Sequence, residues 1–169
     1  MQQPIFTQPF MKNLILSITL VISFSCVNAQ PPVGAKAPEI SLPDANGVVV
    51  KLSSLRGKVV VLDFWASWCG PCRRSNRDMV SLYKKYKDKG MEVYAVSIDA
   101  SAKAWSEAVH QDKTNWLQVI DTKAARGNEL TQTWNLQYIP STFVLDKEGR
   151  IVAVGPEKND LEKLLKRLL

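Results

Sequence analysis

Residues 59–72, VVVLDFWASWCGPC, place an apolar run directly before two cysteines that stand three positions apart. A continuous run of this kind is typical of a strand covered on both faces, as in a parallel sheet. Residues 71–89 follow with helical composition, and their apolar side chains recur at three- and four-residue steps. The stretch therefore predicts a buried strand, a sharp turn at the cysteines and a helix that begins there.

The flanking segments predict further strands and helices in alternating order. In chain order they are a hairpin of strands 39–42 and 48–52, strand 91–98, helix 102–111, strand 116–120, helix 124–134, a hairpin of strands 142–145 and 151–154, and a C-terminal helix with leucines at 161, 164, 165 and 168. Strands that alternate with helices and end in a hairpin and a helix predict an α/β fold of packed layers.

The first 29 residues have the pattern of a secretory signal peptide. Lys12 precedes an uncharged run at 14–24, and small or polar residues follow as far as Ala29, as a cleavable signal requires. The run is shorter than the ~20 apolar residues of a membrane-spanning helix. We expect export to the periplasm or another extracytoplasmic compartment after cleavage near Ala29, a linker at 30–36 and one domain at 37–169.

Two residues leave alternatives open at the N-terminus. Met11 is an alternative start of translation, since the signal pattern is clearer from there. Cys26 would be acylated and anchor the protein to lipid if the chain had a lipoprotein signal, but Ser23 stands where such signals usually have a leucine. Cleavage after Ala29, which removes Cys26, is the preferred prediction. The mass of the mature N-terminus distinguishes the two.

The composition argues against nucleic acid, metal and cofactor. One of the 22 Lys and Arg residues lies in the predicted signal peptide, which leaves 21 against 16 Asp and Glu. These basic residues are spread over the predicted helices and are not interleaved with aromatic residues, as they would be on a nucleic-acid surface. A structural zinc site needs four ligands, and the chain beyond residue 29 has two cysteines and one histidine, His110. We therefore expect no nucleic acid and no metal, and we expect no cofactor because the chain has no dehydrogenase or flavin motif.

The two remaining cysteines predict redox chemistry. Sulfurs this close in sequence close a small loop and stabilise little, unlike the widely spaced pairs of a disulfide framework. At a helix N-terminus the free N–H groups and the macrodipole favour a negative charge, so the pKa of a cysteine there falls. We predict an exposed Cys69 as the nucleophile and a shielded Cys72 as the resolving thiol. Gly70 permits the sharp turn, and Pro71 suits the first helical turn.

Two motifs resemble those of thioredoxins. Residues 63–72, DFWASWCGPC, are similar to the thioredoxin active-site segment, and residues 139–143, IPSTF, resemble the loop whose cis-proline faces the cysteines. The N-terminal hairpin, residues 52–58 and the long segment after Asp99 resemble the exported TlpA/ResA-like branch of this superfamily. The resemblance covers residues 37–169. It implies a thioredoxin-like fold: a central mixed sheet with helices on both faces, an N-terminal hairpin and an extra βα insertion.

The resemblance also implies roles for single residues. The peptide bond between Ile139 and Pro140 is expected to be cis, with the backbone of Ile139 offered to the substrate. Asp63 corresponds to the aspartate that relays the proton of the second cysteine. The lysine that accompanies it in thioredoxins is Ala95 here, which predicts a raised pKa for Asp63. An Asp63 that reaches water at a strand edge is the alternative.

The predicted substrate contacts surround the cysteines and are Trp68, Gly70, Pro71, Ile139 and Pro140. Trp68 has two interpretations, a hydrophobic contact for a peptide substrate or a residue packed in the core. Gly70 and Pro71 match the dipeptide of thioredoxin, which lies at the reducing end of the family at about −270 mV.

The predicted function is an exported thiol-disulfide oxidoreductase that reduces protein disulfides. A reductant in an oxidising compartment needs a source of electrons. We therefore expect two kinds of partner, disulfide-bonded protein substrates and a membrane electron-donor protein. Apocytochrome c, in cytochrome c maturation, is a candidate substrate by family analogy. The alternatives are a protein disulfide oxidant or isomerase and a non-catalytic interaction domain, whereas a peroxiredoxin is excluded because its cysteine signature is absent.

Overall fold

The predicted apolar strand lies at the centre of a five-stranded sheet. The computed structural model describes residues 29–169. The sheet consists of β3 (Val59–Trp65), β4 (Met91–Ser97), β5 (Leu117–Ile120), β6 (Ser141–Leu145) and β7 (Ile151–Val154), and a separate hairpin pairs β1 (Ser41–Pro43) with β2 (Val49–Lys51). The order is β5-β4-β3-β6-β7, with β3 parallel to β4 and antiparallel to β6. The predicted central mixed sheet and N-terminal hairpin are confirmed.

Within residues 29–169, four α-helices connect or follow the strands: α1 (Gly70–Tyr86), α2 (Ala102–Asp112), α3 (Glu129–Thr133) and α4 (Lys158–Leu168). The long helix α1 begins at the cysteine motif, as predicted, and continues into a 3-10 turn at Lys87–Lys89. Gly90 ends this turn at a φ of 101°, a left-handed conformation that glycine adopts without steric cost. The chain can therefore reverse directly into β4.

Both faces of β3 are covered, which explains its continuous apolar sequence. Val59, Val61 and Trp65 pack in a core cluster with residues of α1, α2 and α4. On the other face, residues such as Phe64 pack with the segment around the N-terminal hairpin and with Trp134, which follows α3. Three long helices therefore lie on one face of the sheet, and the hairpin and the short α3 lie on the other.

The predicted helix at 124–134 is wrong as a single element. Residues Ala124–Arg126 form a 3-10 turn, and Gly127 interrupts the helix at a φ of 72°. A new helix, α3, then begins with Asn128 as its cap, because the side chain of Asn128 accepts the N–H of Thr131 at 3.2 Å. The Thr131 hydroxyl oxygen accepts the N–H of Asn128 at 2.9 Å in return. This reciprocal cap sets the start of α3 five residues after the start of the predicted helix.

The N-terminal predictions lie mostly outside the described residues. Met11, Cys26 and all of the predicted signal peptide except Ala29 belong to the part that the structure does not describe. Within the predicted linker, Gly34 donates its N–H to the carbonyl of Ile151, and Ile151 donates to Ala35. The end of this segment therefore lies against the start of β7. None of the helices within residues 29–169 is long and apolar enough to cross a membrane.

Candidate active site

The two cysteines lie at the N-terminus of α1, directly after the turn that follows β3. They are joined by a disulfide bond, with their Cα atoms 5.2 Å apart. Cys69 is the cap residue of α1, and its Sγ accepts the backbone N–H of Cys72 at 3.2 Å. Pro71 occupies the first turn, where its missing N–H removes no helical hydrogen bond. Once the disulfide is reduced, this N–H and the helix dipole favour a thiolate at Cys69.

The structure corrects the prediction that Cys69 is exposed. Only 6% of Cys69 is accessible, while Cys72 is completely buried, as predicted. Cys69 is covered because it belongs to the same core cluster as Cys72 and because its Sγ lies 3.9 Å from the carbonyl oxygen of Ile139. The difference in solvent accessibility between the two cysteines is therefore small, but Cys69 is the one with access to solvent.

Two exposed aromatic side chains belong to the residues that precede Cys69 and Ile139 in the chain. Trp68 precedes the first cysteine and is 66% exposed, so the interpretation as a packed core residue is wrong. Tyr138, which the sequence analysis missed, is 69% exposed. Both line a mainly apolar groove of about 320 Å³ that also includes Ile98 and Ile139. Large exposed apolar side chains in one patch are typical of a surface that binds another protein.

The loop opposite the cysteines has the predicted conformation. The peptide bond between Ile139 and Pro140 is cis. This loop leads into β6, which pairs with β3, so the sheet itself brings Ile139 beside Cys69. Sequence motifs 70 residues apart are thus adjacent in space.

Asp63 is a buried carboxyl group on the central strand. It lies between Val61 and Trp65 in the alternation of β3, which places it on the face covered by α1 and Cys72. The hydroxyl of Thr142 donates a hydrogen bond to Asp63 Oδ1 at 2.8 Å. Burial raises the pKa of Asp63 to about 7, and the bond from Thr142 opposes this shift. The alternative of an Asp63 at a strand edge is wrong, because β3 is the central strand of the sheet.

The turn before Cys69 is held by a second buried carboxylate that sequence reasoning missed. Asp99 accepts the backbone N–H of Ser67 at 2.9 Å and the Ser67 hydroxyl at 2.7 Å. It also accepts the hydroxyl of Ser97, the last residue of β4, at 2.7 Å. The sequence contains one indication of this contact. An aspartate comes just after one buried strand, and a serine comes just after the parallel strand beside it. The carboxyl ends of parallel strands meet at one edge of a sheet.

The same turn is held from its other side by α1 and α2. Arg73, the residue after Cys72, donates from its guanidinium to the carbonyl of Ser67 at 3.2 Å. The same guanidinium forms an ion pair with Asp112, a buried residue at the end of α2, and Arg77 reaches Asp112 at 3.3 Å. Both the N–H and the C=O of Ser67 are therefore bonded to charged side chains, which fixes the turn that precedes Trp68 and Cys69.

We expect Asp99→Asn to destabilise this turn. The amide keeps one acceptor oxygen and turns an NH₂ donor toward groups that also donate, so buried hydrogen bonds are lost. The free energy of unfolding should fall by about 1–3 kcal/mol, as measured by urea unfolding at pH 7. Ser67→Ala is the matched milder variant, since it removes one hydroxyl and keeps the backbone bond. A larger loss for Ser67→Ala than for Asp99→Asn would contradict this account.

Comparison with known proteins agrees with this geometry. The family model described as Redoxin matches residues 32–168. The chain belongs to the Redoxin family. Within it, the chain is similar to the thiol-disulfide oxidoreductase ResA of Bacillus anthracis, with 33% identity over 162 residues that cover 92% of this chain and 91% of that protein. This relative confirms the TlpA/ResA-like branch of the superfamily.

Solved structures of similar proteins support the same assignment for this Redoxin. The thioredoxin domain of a thiol-disulfide oxidoreductase from Bacteroides vulgatus has a TM-score of 0.75 and 31% identity, over 82% of this chain and 99% of that one. A thiol-disulfide oxidoreductase from Bacteroides fragilis has a TM-score of 0.74 and 31% identity, over 80% and 100%. This Redoxin is therefore a thioredoxin-like enzyme, a thiol-disulfide oxidoreductase, and disulfide-containing proteins are its class of substrate.

Proposed function

We propose that this enzyme is an exported reductase of protein disulfides that uses Cys69 as nucleophile, Cys72 as resolving thiol and Asp63 as proton relay. Two facts about Cys69 support this proposal most. Its Sγ accepts the N–H of Cys72 at the start of α1, and Cys69 is the only one of the two cysteines with access to solvent. Gly70 and Pro71 between the cysteines favour the reducing direction, as in thioredoxin.

The reaction begins with the dithiol form. The Cys69 thiolate attacks one sulfur of a substrate disulfide, a new S–S bond forms, and the other substrate sulfur leaves as a thiolate. The Cys72 thiol gives its proton to Asp63 and attacks the Cys69 sulfur, which releases the second substrate sulfur and forms the Cys69–Cys72 disulfide. Two electrons have then passed to the substrate. A carboxyl group with a pKa of about 7 suits this proton transfer at neutral pH.

The surface around Cys69 suits an extended peptide with apolar side chains. Trp68 and Tyr138 present exposed rings beside the disulfide, and the groove between them is mainly apolar. The backbone of Ile139 lies next to the Cys69 sulfur, where a substrate strand can pair with it. Gly70 and Pro71, on the helix side, and Pro140, on the loop side, complete the contact surface.

The cellular context follows from the N-terminal sequence. A signal peptide at 1–29, a linker at 30–36 and a thioredoxin-like domain at 37–169 form an exported protein. Returning the disulfide to the dithiol then requires a membrane electron-donor protein, since the outer compartment is oxidising. The mass of the mature N-terminus tests this proposal: cleavage after Ala29 supports it, and an acylated Cys26 would instead make the protein a lipoprotein.

The reduction potential decides between reductase and oxidant. We expect equilibration with thiol couples of known potential to give about −270 mV for the Cys69–Cys72 pair, close to thioredoxin. The fraction of oxidised protein is measured by alkylation of free thiols and mass spectrometry. A value near about −120 mV, typical of a strong oxidant, would support the oxidant alternative and contradict the reductase.

A further inference from the structure

The proposed role of Asp63 does not yet explain how a proton leaves its buried carboxyl group. Asp63 is buried and its pKa is raised to about 7, so at neutral pH a proton has to leave it before it can accept the proton of Cys72. The hydrogen bond that the structure shows for the Asp63 side chain comes from Thr142, which lies directly opposite in the β3–β6 pairing. Thr142, unlike Asp63, is only partly buried. It therefore lies between the carboxyl group and the surface.

Two cavities meet at Thr142. One, of about 330 Å³, lies between α1 and the start of α4 and is lined by Ser75, Met79, Leu161 and others. The second, of about 210 Å³, extends past Pro140 and is lined by Ser75, Thr142 and Pro156 as well. A water molecule occupies about 30 Å³ in the liquid, so both cavities have room for water beside Thr142.

We propose that Thr142 passes protons between Asp63 and water in these cavities. The proposal rests on Asp63 being the proton relay of the proposed function. In the step, protonated Asp63 donates to the Thr142 oxygen while the Thr142 hydroxyl proton moves to a water molecule. Asp63 is then a carboxylate again, and the hydroxyl rotates back to donate to it. One proton leaves the protein, and no sulfur bond or electron changes place.

The charges around the cavity are compatible with this step. Asp78 on α1 and Lys158 at the start of α4 form an ion pair at 3.0 Å across the larger cavity, and Glu157 lies beside them. The residue opposite Asp63 on β4 is Ala95, which has no charge. Burial rather than a neighbouring charge therefore raises the pKa of Asp63, and the hydroxyl of Thr142 is the polar group that opposes this effect.

A structural role for Thr142 makes different predictions from proton transfer. A hydroxyl that only satisfies a buried carboxyl group sets the stability and the pKa of that group. Its loss then moves the pH midpoint of substrate release, but blocking the access of water to it leaves release unchanged. A hydroxyl that transfers protons affects one kinetic step, the resolution of the mixed disulfide, and the effect depends on pH and on deuterated solvent. The formation of the mixed disulfide by Cys69 does not involve Asp63 and serves as the internal control.

The test compares wild type with Thr142→Val, Thr142→Ser and Asp63→Asn in single-turnover reduction of a disulfide peptide. We expect Thr142→Val to slow release by about tenfold or more, within the range of general acid–base effects, and to leave mixed-disulfide formation unchanged. The pH midpoint of release should rise, since the carboxylate loses its donor, and the solvent isotope effect should change. Thr142→Ser, which keeps the hydroxyl, should restore the wild-type values.

A second variant keeps the test decisive if valine at position 142 prevents folding. Ser75→Leu fills the space shared by both cavities and leaves the Thr142–Asp63 bond in place, and we expect the same slow release. Wild-type release in the folded Ser75→Leu protein, with slow release in Asp63→Asn, would overturn proton transfer through Thr142 and leave the proposed relay in place. Wild-type release in Asp63→Asn would overturn the relay of the proposed function, and this proposal with it.

Discussion

Cys69→Ser abolishes disulfide reduction, and Cys72→Ser stops the reaction at the mixed disulfide. We expect the rate of insulin reduction to fall by about 10³-fold or more in both variants, as for other enzymes that lose a nucleophile. The two variants differ in what accumulates. Cys72→Ser retains the attacking sulfur and captures substrate proteins covalently, whereas Cys69→Ser leaves a sulfur that is fully buried in the disulfide form. Non-reducing gels and mass spectrometry measure this capture.

Cys26→Ser is the matched control for these variants, because it removes a cysteine from the predicted signal peptide and should leave the activity unchanged. Capture of substrate by Cys69→Ser but not by Cys72→Ser would reverse the assignment of nucleophile and resolving thiol. The small exposed fraction of Cys69 makes this comparison informative, since accessibility alone separates the two sulfurs only slightly.

Asp63→Asn stabilises the oxidised protein at pH 8 and leaves its stability nearly unchanged at pH 3.5. The pKa of Asp63 is raised from 3.8 to about 7 in the folded protein, so the folded state binds more protons than the unfolded state between these values. Stability therefore falls as pH rises from about 4 to about 7, and an asparagine removes this loss. At about 1.4 kcal/mol per pH unit, we expect a gain of about 2–4 kcal/mol at pH 8.

Urea unfolding of the oxidised protein across this pH range measures the effect. Asp88→Asn, which changes an exposed aspartate after α1, is the control and should leave the pH dependence as in wild type. Equal stability of wild type and Asp63→Asn at pH 8 would contradict a raised pKa. A stable but slow Asp63→Asn enzyme is the expected combination, because a buried carboxyl group placed for function reduces stability.

Local patterns were sufficient for the centre of the fold. The apolar run at 59–65 and the helical spacing after it depend on neighbours in sequence, and both elements are present within a few residues of the predicted bounds. The position of the cysteines at the start of α1 followed from the same two elements. The single helix predicted at 124–134 is wrong because a glycine and a capping asparagine interrupt a segment whose composition favours a helix.

The partners of the buried carboxyl groups could not be predicted in this way. Asp63 bonds to a residue 79 positions away, and Asp99 bonds to one 32 positions away. The first contact requires the antiparallel register of β6 on β3, and the second requires β4 to lie parallel beside β3. Strand order and register depend on how the whole chain packs, and a shift of one residue would turn Asp63 to the other face of the sheet.

Residue types and short spacings alone predict the chemical groups of the site: two sulfurs at the start of a helix, a carboxyl group in the preceding strand and a proline loop that resembles that of thioredoxins. Those features depend on residue type and short spacing, which are local. Packing of distant segments sets how far Cys69 is covered, which hydroxyl reaches Asp63 and where cavities lie beside Thr142. These properties arise from burial and from contacts between distant strands, and burial is a property of the packed chain rather than of any segment.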